Sequence, residues 1–88
     1  MIKIRVLYLG KMRERFEKEA DDLSVEDRCT IFMLRRRLFH KLPKAQAARM
    51  YEAVDFNVNL GLVALNHVLH DGDEVAVIPK DMKVKTAR

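Results

Sequence analysis

Three groups of side chains in this sequence are of types that can do chemistry. Cys29 stands just before a predicted helix start, where the helix N-terminus would lower a thiol's pKa and make it a nucleophile. A buried cysteine explains the same residue more simply, because free cysteines rank among the most buried residue types and no histidine is close in sequence. His67 and His70 are three residues apart beside Asp71 and Asp73, which are metal-donor types. Zinc sites, however, present two recognisable pairs of ligands, and no cysteine joins these histidines, so neither metal nor cofactor is assigned. His40 is better placed as a favourable cation near a helix C-terminus. The third group is the run Arg35-Arg36-Arg37 with Lys41, Lys44 and Arg49, continued by Lys80, Lys83, Lys85 and Arg88. Such a cluster can supply an electrostatic footprint for RNA or DNA phosphates. No aromatic residues interleave with it as a stacking platform requires, so a solvated helix face is the simpler reading. Nowhere do a nucleophile, a base and an orienting group converge, and the chain is not expected to be an enzyme by itself.

Composition sets the frame for these residues. At 88 residues, 49% of them hydrophobic, the chain suffices for one compact core and not for two. No apolar run reaches the roughly 18 residues that a membrane span needs. The opening MIKIRVLYLG begins charged, lacks a small-residue cleavage site, and reads as a strand rather than a signal peptide. A single cysteine suits a reducing, cytoplasmic setting. The net charge of +4 permits weak attraction to acidic partners without establishing nucleic-acid binding.

The elements can be read from hydrophobic period. Ile2, Ile4, Val6 and Tyr8 alternate with Lys3, Arg5, Leu7 and Leu9, which predicts a half-buried strand whose second face turns apolar late, leaving Leu7 and Leu9 in need of a cover or a partner. KMRERFEKEA makes a short helical turn or loop anchored by Phe16, and EADDLSVED an acidic edge strand. Thr30 is the expected N-cap of the main helix, with Ile31, Leu34, Leu38, Phe39 and Leu42 at helical spacing and Pro43 as its stop. A second helical stretch, KAQAARMYEA, carries the narrower stripe of Ala47, Met50, Tyr51 and Val54. The period then returns to two through Val54, Phe56 and Val58. Gly61 bends or breaks the chain, LVALNHVL is a further extended piece, and Asp71-Gly72 turns into the strand EVAVIP. This order predicts an α+β domain, a mixed sheet of four to five strands with a main helix packed on one face, over 1–79, and a basic tail over 80–88.

The stretch VNLGLVALNHVLHDGDEVAVIP, Val58 to Pro79, resembles the last third of the MoaD/ThiS sulfur carriers, a family that includes the small subunit of molybdopterin synthase and shares the ubiquitin-like β-grasp fold. The similarity lies in a strand ending Val-Asn, a leucine ahead of Asp-Gly-Asp-Glu-Val, and a hydrophobic strand closing on proline. The first strand and the TIFMLRRRL helix start fall where that family has its own. Family members work through a C-terminus ending Gly-Gly, which an E1-like enzyme adenylates and converts to a thiocarboxylate that donates sulfur inside a synthase. Here the corresponding positions hold Lys83 and Val84, and the only glycines are Gly10, Gly61 and Gly72. Val84 is β-branched and stiff where the family needs a backbone that threads a narrow channel.

The resemblance further implies a protein partner, either a synthase large subunit or the E1-like enzyme, gripped by an apolar patch on the sheet face away from the helix and by a basic residue after the first strand. The matching positions are Leu9, Arg13, Leu62 and Ile78. Scattered partly buried residues, or a homodimer contact, are the alternative account of those four. The expected function is a non-catalytic, ubiquitin-like protein-interaction module that diverges by its tail. A sulfur carrier or synthase small subunit with an atypical C-terminus is the alternative, and nucleic-acid binding through the basic helix face a second one.

Overall fold

The computed structural model describes residues 1–81 of the chain. In chain order the elements are β1 (Ile2–Tyr8), α1 (Lys11–Phe16), β2 (Ala20–Val25), α2 (Ile31–Leu38), α3 (Lys44–Ala53), β3 (Val54–Val58), β4 (Gly61–Leu62) and β5 (Glu74–Pro79). The strands form one sheet in the order β2-β1-β5-β3-β4. The central pair β1 and β5 runs parallel and every other pair antiparallel. This is the mixed sheet of the ubiquitin-like β-grasp, with β2 and β4 as its edges. From residue 82 on, the basic tail expected over 80–88 lies outside the described residues.

One face of the sheet makes the core. Ile4, Val6 and Tyr8 of β1, Val54, Phe56 and Val58 of β3, and Val75 and Val77 of β5 are buried together with Ile31 and Leu34 of α2 and Met50 of α3. Full burial of each such aliphatic side chain contributes roughly 1.5–3 kcal/mol. A chain of ring contacts crosses the same side: Tyr8 stacks on Phe16 at 4.5 Å, Phe16 on Phe39 at 5.8 Å, and Phe39 meets Tyr51 at 5.7 Å. Phe16 thus anchors α1 as expected, although Met12 is the residue of that helix which is fully buried.

The main helix is shorter than its periodicity suggests. The Thr30 hydroxyl accepts the Met33 N–H at 3.2 Å and caps its start, but α2 stops at Leu38, well before Pro43. Phe39 and Leu42 still reach the core from an irregular turn, which is why the apolar rhythm runs on past the helical backbone. Pro43 instead stands at the N-cap of α3. The segment LVALNHVL likewise differs from expectation. Only Gly61–Leu62 pair as strand, and the following residues lie across the start of α2, where carbonyls of His67 and Leu65 accept the Ile31 and Phe32 N–H groups at 3.0 and 2.9 Å. The loop satisfies amides that a helix start otherwise leaves open.

The bend assigned to Gly61 also sits elsewhere. Val58 pairs with Gly61, and the connection between them is two residues, Asn59 at φ 50° and Leu60 at φ 75°. Two positive φ values in a two-residue hairpin connection mark a I′ turn, which favours Asn-Gly. Asn59 fits this preference. Leu60 occupies the slot that glycine would fill, at a cost of about 1–2 kcal/mol.

The Asp-Gly-Asp turn ties the ends of three strands. Asp71 Oδ1 accepts the Lys3 N–H at 2.7 Å, and Gly72, at φ 87°, donates its N–H to the Lys3 carbonyl at 2.7 Å. Buried Asp73 accepts the His70 N–H at 2.8 Å and the Asn59 side-chain amide at 3.0 Å, while its own carbonyl takes the Arg5 N–H at 3.0 Å. Asn59 completes the link by exchanging two bonds with Glu74. At the other end of β1, the Tyr8 hydroxyl donates to Asp21 at 2.9 Å, and Lys18 pairs with the same carboxylate at 3.0 Å. Burial pushes the Asp21 carboxyl up, but the bonds from Lys18 and Tyr8 outweigh it and hold the group below the usual carboxylate range. Burial, reinforced by Asp21, drives the Tyr8 phenol the opposite way, well above its ordinary value.

These bonds lead to two expected outcomes. Asp73→Ala removes the acceptor of two part-buried bonds, from the His70 N–H and the Asn59 side-chain amide, so urea denaturation will show a loss on the order of 1–3 kcal/mol, against less for Asp71→Ala, whose single bond from Lys3 is exposed. For Asp21 the folded carboxyl is the stronger acid. Its contribution is therefore present above the unfolded value of about 3.9 and lost as pH falls through the lower folded value. Stability measured from pH 5 to pH 2, a range of about three units, will show the gap between wild type and Asp21→Asn closing on the acid side; a gap constant with pH would contradict the assignment.

Candidate functional site

Among the described residues, no helix lies over the second face of the sheet. Register places its residues in rows. One row runs across all five strands as Ala20, Leu7, Ala76, Asn57 and Leu62. In the next, Ile78 lies opposite Asp55, and the ladder that continues through the Leu9 N–H to the Val77 carbonyl at 3.2 Å sets Leu9 beside Ile78. Leu7, Leu9, Ala76 and Ile78 therefore form an apolar half-face on β1 and β5, and Leu62 lies on the same face at the β4 edge, beyond Asn57 and Asp55 of β3. The other half is charged: Arg5 pairs with Asp22 at 3.2 Å, and Lys3 and Glu74 complete it. An apolar centre with a polar border is the anatomy of a protein contact surface.

Of the four residues singled out in the sequence, three lie on this face, Leu9 next to Ile78 and Leu62 at the edge. Leu9 and Ile78 are half-buried and Leu62 is 61% exposed. Arg13 is in α1, and its Nε donates to the Tyr8 carbonyl at 3.5 Å, which keeps the guanidinium at the end of β1 next to Leu9. Leu7 and Ala76 join them between the strands. Leu7 was legible through the late apolar turn of the first strand, whereas Ala76 carries no signal until β5 is known to pair with both β1 and β3.

The other chemical candidates are drawn into the fold. Cys29 is buried, its Sγ 3.5 Å from the Thr30 carbonyl, and burial together with the Glu26 carboxylate pushes its thiol up, opposite to what a nucleophile needs. Two of the three consecutive arginines are used internally. Arg35 stacks its guanidinium over Tyr51 at 4.1 Å and Phe32 at 5.4 Å, and Arg37 donates to the Ser24 carbonyl at 2.7 Å, holding α2 against the edge strand. A groove of about 620 Å³ between β2 and the end of α2 is lined by Lys18, Arg37 and Lys41, with Lys18 already paired to Asp21. His67 and His70 offer backbone groups to the fold, and among the described residues no three His, Cys, Asp or Glu side chains gather where they would share a metal. No described helix is long and apolar enough to cross a membrane.

Comparison with known proteins gives the chain its relatives. No family model matches it. In sequence it is 36% identical over 81 residues to the molybdopterin synthase sulfur carrier subunit of Mycobacterium tuberculosis, spanning 91% of this chain and 95% of that protein. In structure it resembles the small archaeal modifier protein 1 of Haloferax volcanii, with a TM-score of 0.75 at 19% identity, covering 90% of this chain and 98% of the other. It also resembles a chain in the complex of subunits 1 and 2 of the molybdopterin-converting factor of Helicobacter pylori, with a TM-score of 0.62 at 21% identity, covering 89% and 93%. At those identities the two structures speak for the fold alone. The sequence match, continuous across nearly the whole length of both proteins, speaks for descent, and the chain belongs to the family of molybdopterin synthase sulfur carrier subunits.

Proposed function

We propose that the chain is the small, non-catalytic subunit of a molybdopterin synthase, a sulfur carrier that docks on a larger protein partner by the apolar half of its open sheet face. The observation that carries this reading is the placement of Leu9 and Ile78 side by side, with Arg13 beside Leu9 and Leu62 at the β4 edge, on one face that no described helix covers, in a chain that matches a sulfur carrier subunit along its length. The Helicobacter pylori protein it resembles was captured together with its second subunit, which supports a large synthase subunit as the partner. In such a carrier the domain contributes recognition, and the sheet face fixes it on the partner. Activation and transfer are the work of the partner enzymes, consistent with a buried Cys29 that is not primed as a nucleophile.

A second reading rests on one feature of the sequence. Residues 80–88 contain no glycine, and a module that docks without carrying sulfur has no need of one. Intact-mass analysis separates the two. The protein is incubated with ATP, magnesium, a sulfur donor and the E1-like activating enzyme of its own organism. The carrier reading expects the mass gain of exchanging one oxygen for one sulfur. An unchanged mass, beside full conversion of a Gly-Gly-ended control, would remove sulfur carriage and leave docking alone.

A further inference from the structure

The turn that joins β3 to β4 holds the least favourable backbone choice in the hairpin and the most exposed large apolar side chain among the described residues, and both are Leu60. Its φ of 75° belongs to a region that leucine rarely adopts, and its side chain is 92% exposed. Neither property helps the fold. An asparagine or glycine there would relax the backbone, and a polar side chain would lose no packing.

The turn itself is rigid. Asn59 is bonded to Glu74 through its backbone N–H at 2.8 Å and its side-chain oxygen at 3.0 Å, and to buried Asp73 through its side-chain nitrogen at 3.0 Å. The backbone of Leu60 is therefore carried on a fixed support, two residues from Leu62, at the end of the sheet where Asn59 meets Glu74. A strained backbone that survives beside a binding surface is the pattern expected where function and stability pull apart.

The geometry points to Leu60 as a preorganised anchor that seats in an apolar pocket of the protein partner covering the sheet face. This rests on the docking reading and adds to it a residue that determines how firmly, and to which partner, the face attaches. Because the turn backbone is already ordered, binding there has little backbone freedom left to lose, so the burial of Leu60 converts more fully into affinity than that of a leucine on a floppy loop.

The test uses the full chain and the large synthase subunit of the same organism, with three variants: Leu60→Asn, Leu60→Gly and, as a reporter of the sheet face, Leu62→Asp. Thermal unfolding of each free protein is measured alongside its affinity for the large subunit. The expected result is opposite movement for Leu60→Asn: a higher melting temperature than wild type and binding weaker by about tenfold or more. Leu60→Gly will bind as weakly. If Leu62→Asp loses binding while Leu60→Asn keeps wild-type affinity, the sheet face docks and Leu60 is not its anchor. If neither substitution affects binding, the docking reading itself falls. A lower melting temperature for Leu60→Asn would show that Leu60 serves the fold, which overturns the inference from the other side.

Discussion

The lock around Asp73 is the interaction on which the rest of this structure depends. β1 and β5 are far apart in sequence yet run parallel at the centre of the sheet, so their register has no hairpin to set it. The Asp-Gly-Asp turn supplies what a hairpin would. Asp71 and Gly72 grip the backbone of Lys3, Asp73 grips Arg5, and Asn59 brings the end of β3 onto the same carboxylate. A slip of one residue in any of these strands would turn every side chain to the wrong face. With the register fixed, Ile4, Val6, Phe56 and Val77 fall on the helix side, and Leu7, Leu9, Ala76 and Ile78 on the other.

The described helices cover one side of the sheet, and this imbalance leaves the other side open among the described residues. α2 and α3 bring Ile31, Leu34 and Met50 to the core, and the basic side chains of α2 are largely spent on keeping it there, Arg35 on the rings of Phe32 and Tyr51 and Arg37 on the edge strand. The helical side is thus occupied with holding the fold. The opposite side keeps an apolar half that no described residue covers, with a border that suits a protein partner. A small carrier needs this division of labour, since a single core of this length leaves little stability to spare for a second buried layer.

Much of this was legible in the sequence, and the exceptions have physical causes. Alternation gave β1 and β3 because each has one buried and one open face, the Asp71-Gly72 turn marked the start of β5, and the second helix matched its stripe from Lys44 to Ala53. The end of α2 was misjudged because Phe39 and Leu42 pack into the core from non-helical backbone, so apolar spacing outlasts the helix that it usually marks. LVALNHVL reads as extended because its residues are apolar and branched, whereas its actual task is to offer carbonyls to the start of α2. Leu9, marked by the alternation of the first strand as well as by resemblance, and Leu62 and Ile78, singled out by resemblance alone, lie on one face because β5 pairs with both β1 and β3, a pairing that no local pattern announces. Leu60 escaped notice because an exposed leucine is unremarkable in a sequence, and only its φ sets it apart.

The central claim is that the uncovered apolar half-face meets a protein partner. Methyl-labelled NMR of this chain during titration with the large synthase subunit tests it most directly, since leucine, isoleucine and valine methyls report from both sides of the sheet at once. The account predicts shifts or broadening at Leu7, Leu9, Leu62 and Ile78 while Leu23, Leu38 and Leu42, on the side of the helices, stay in place. Perturbation confined to the helical side, with the open face unchanged, would contradict it.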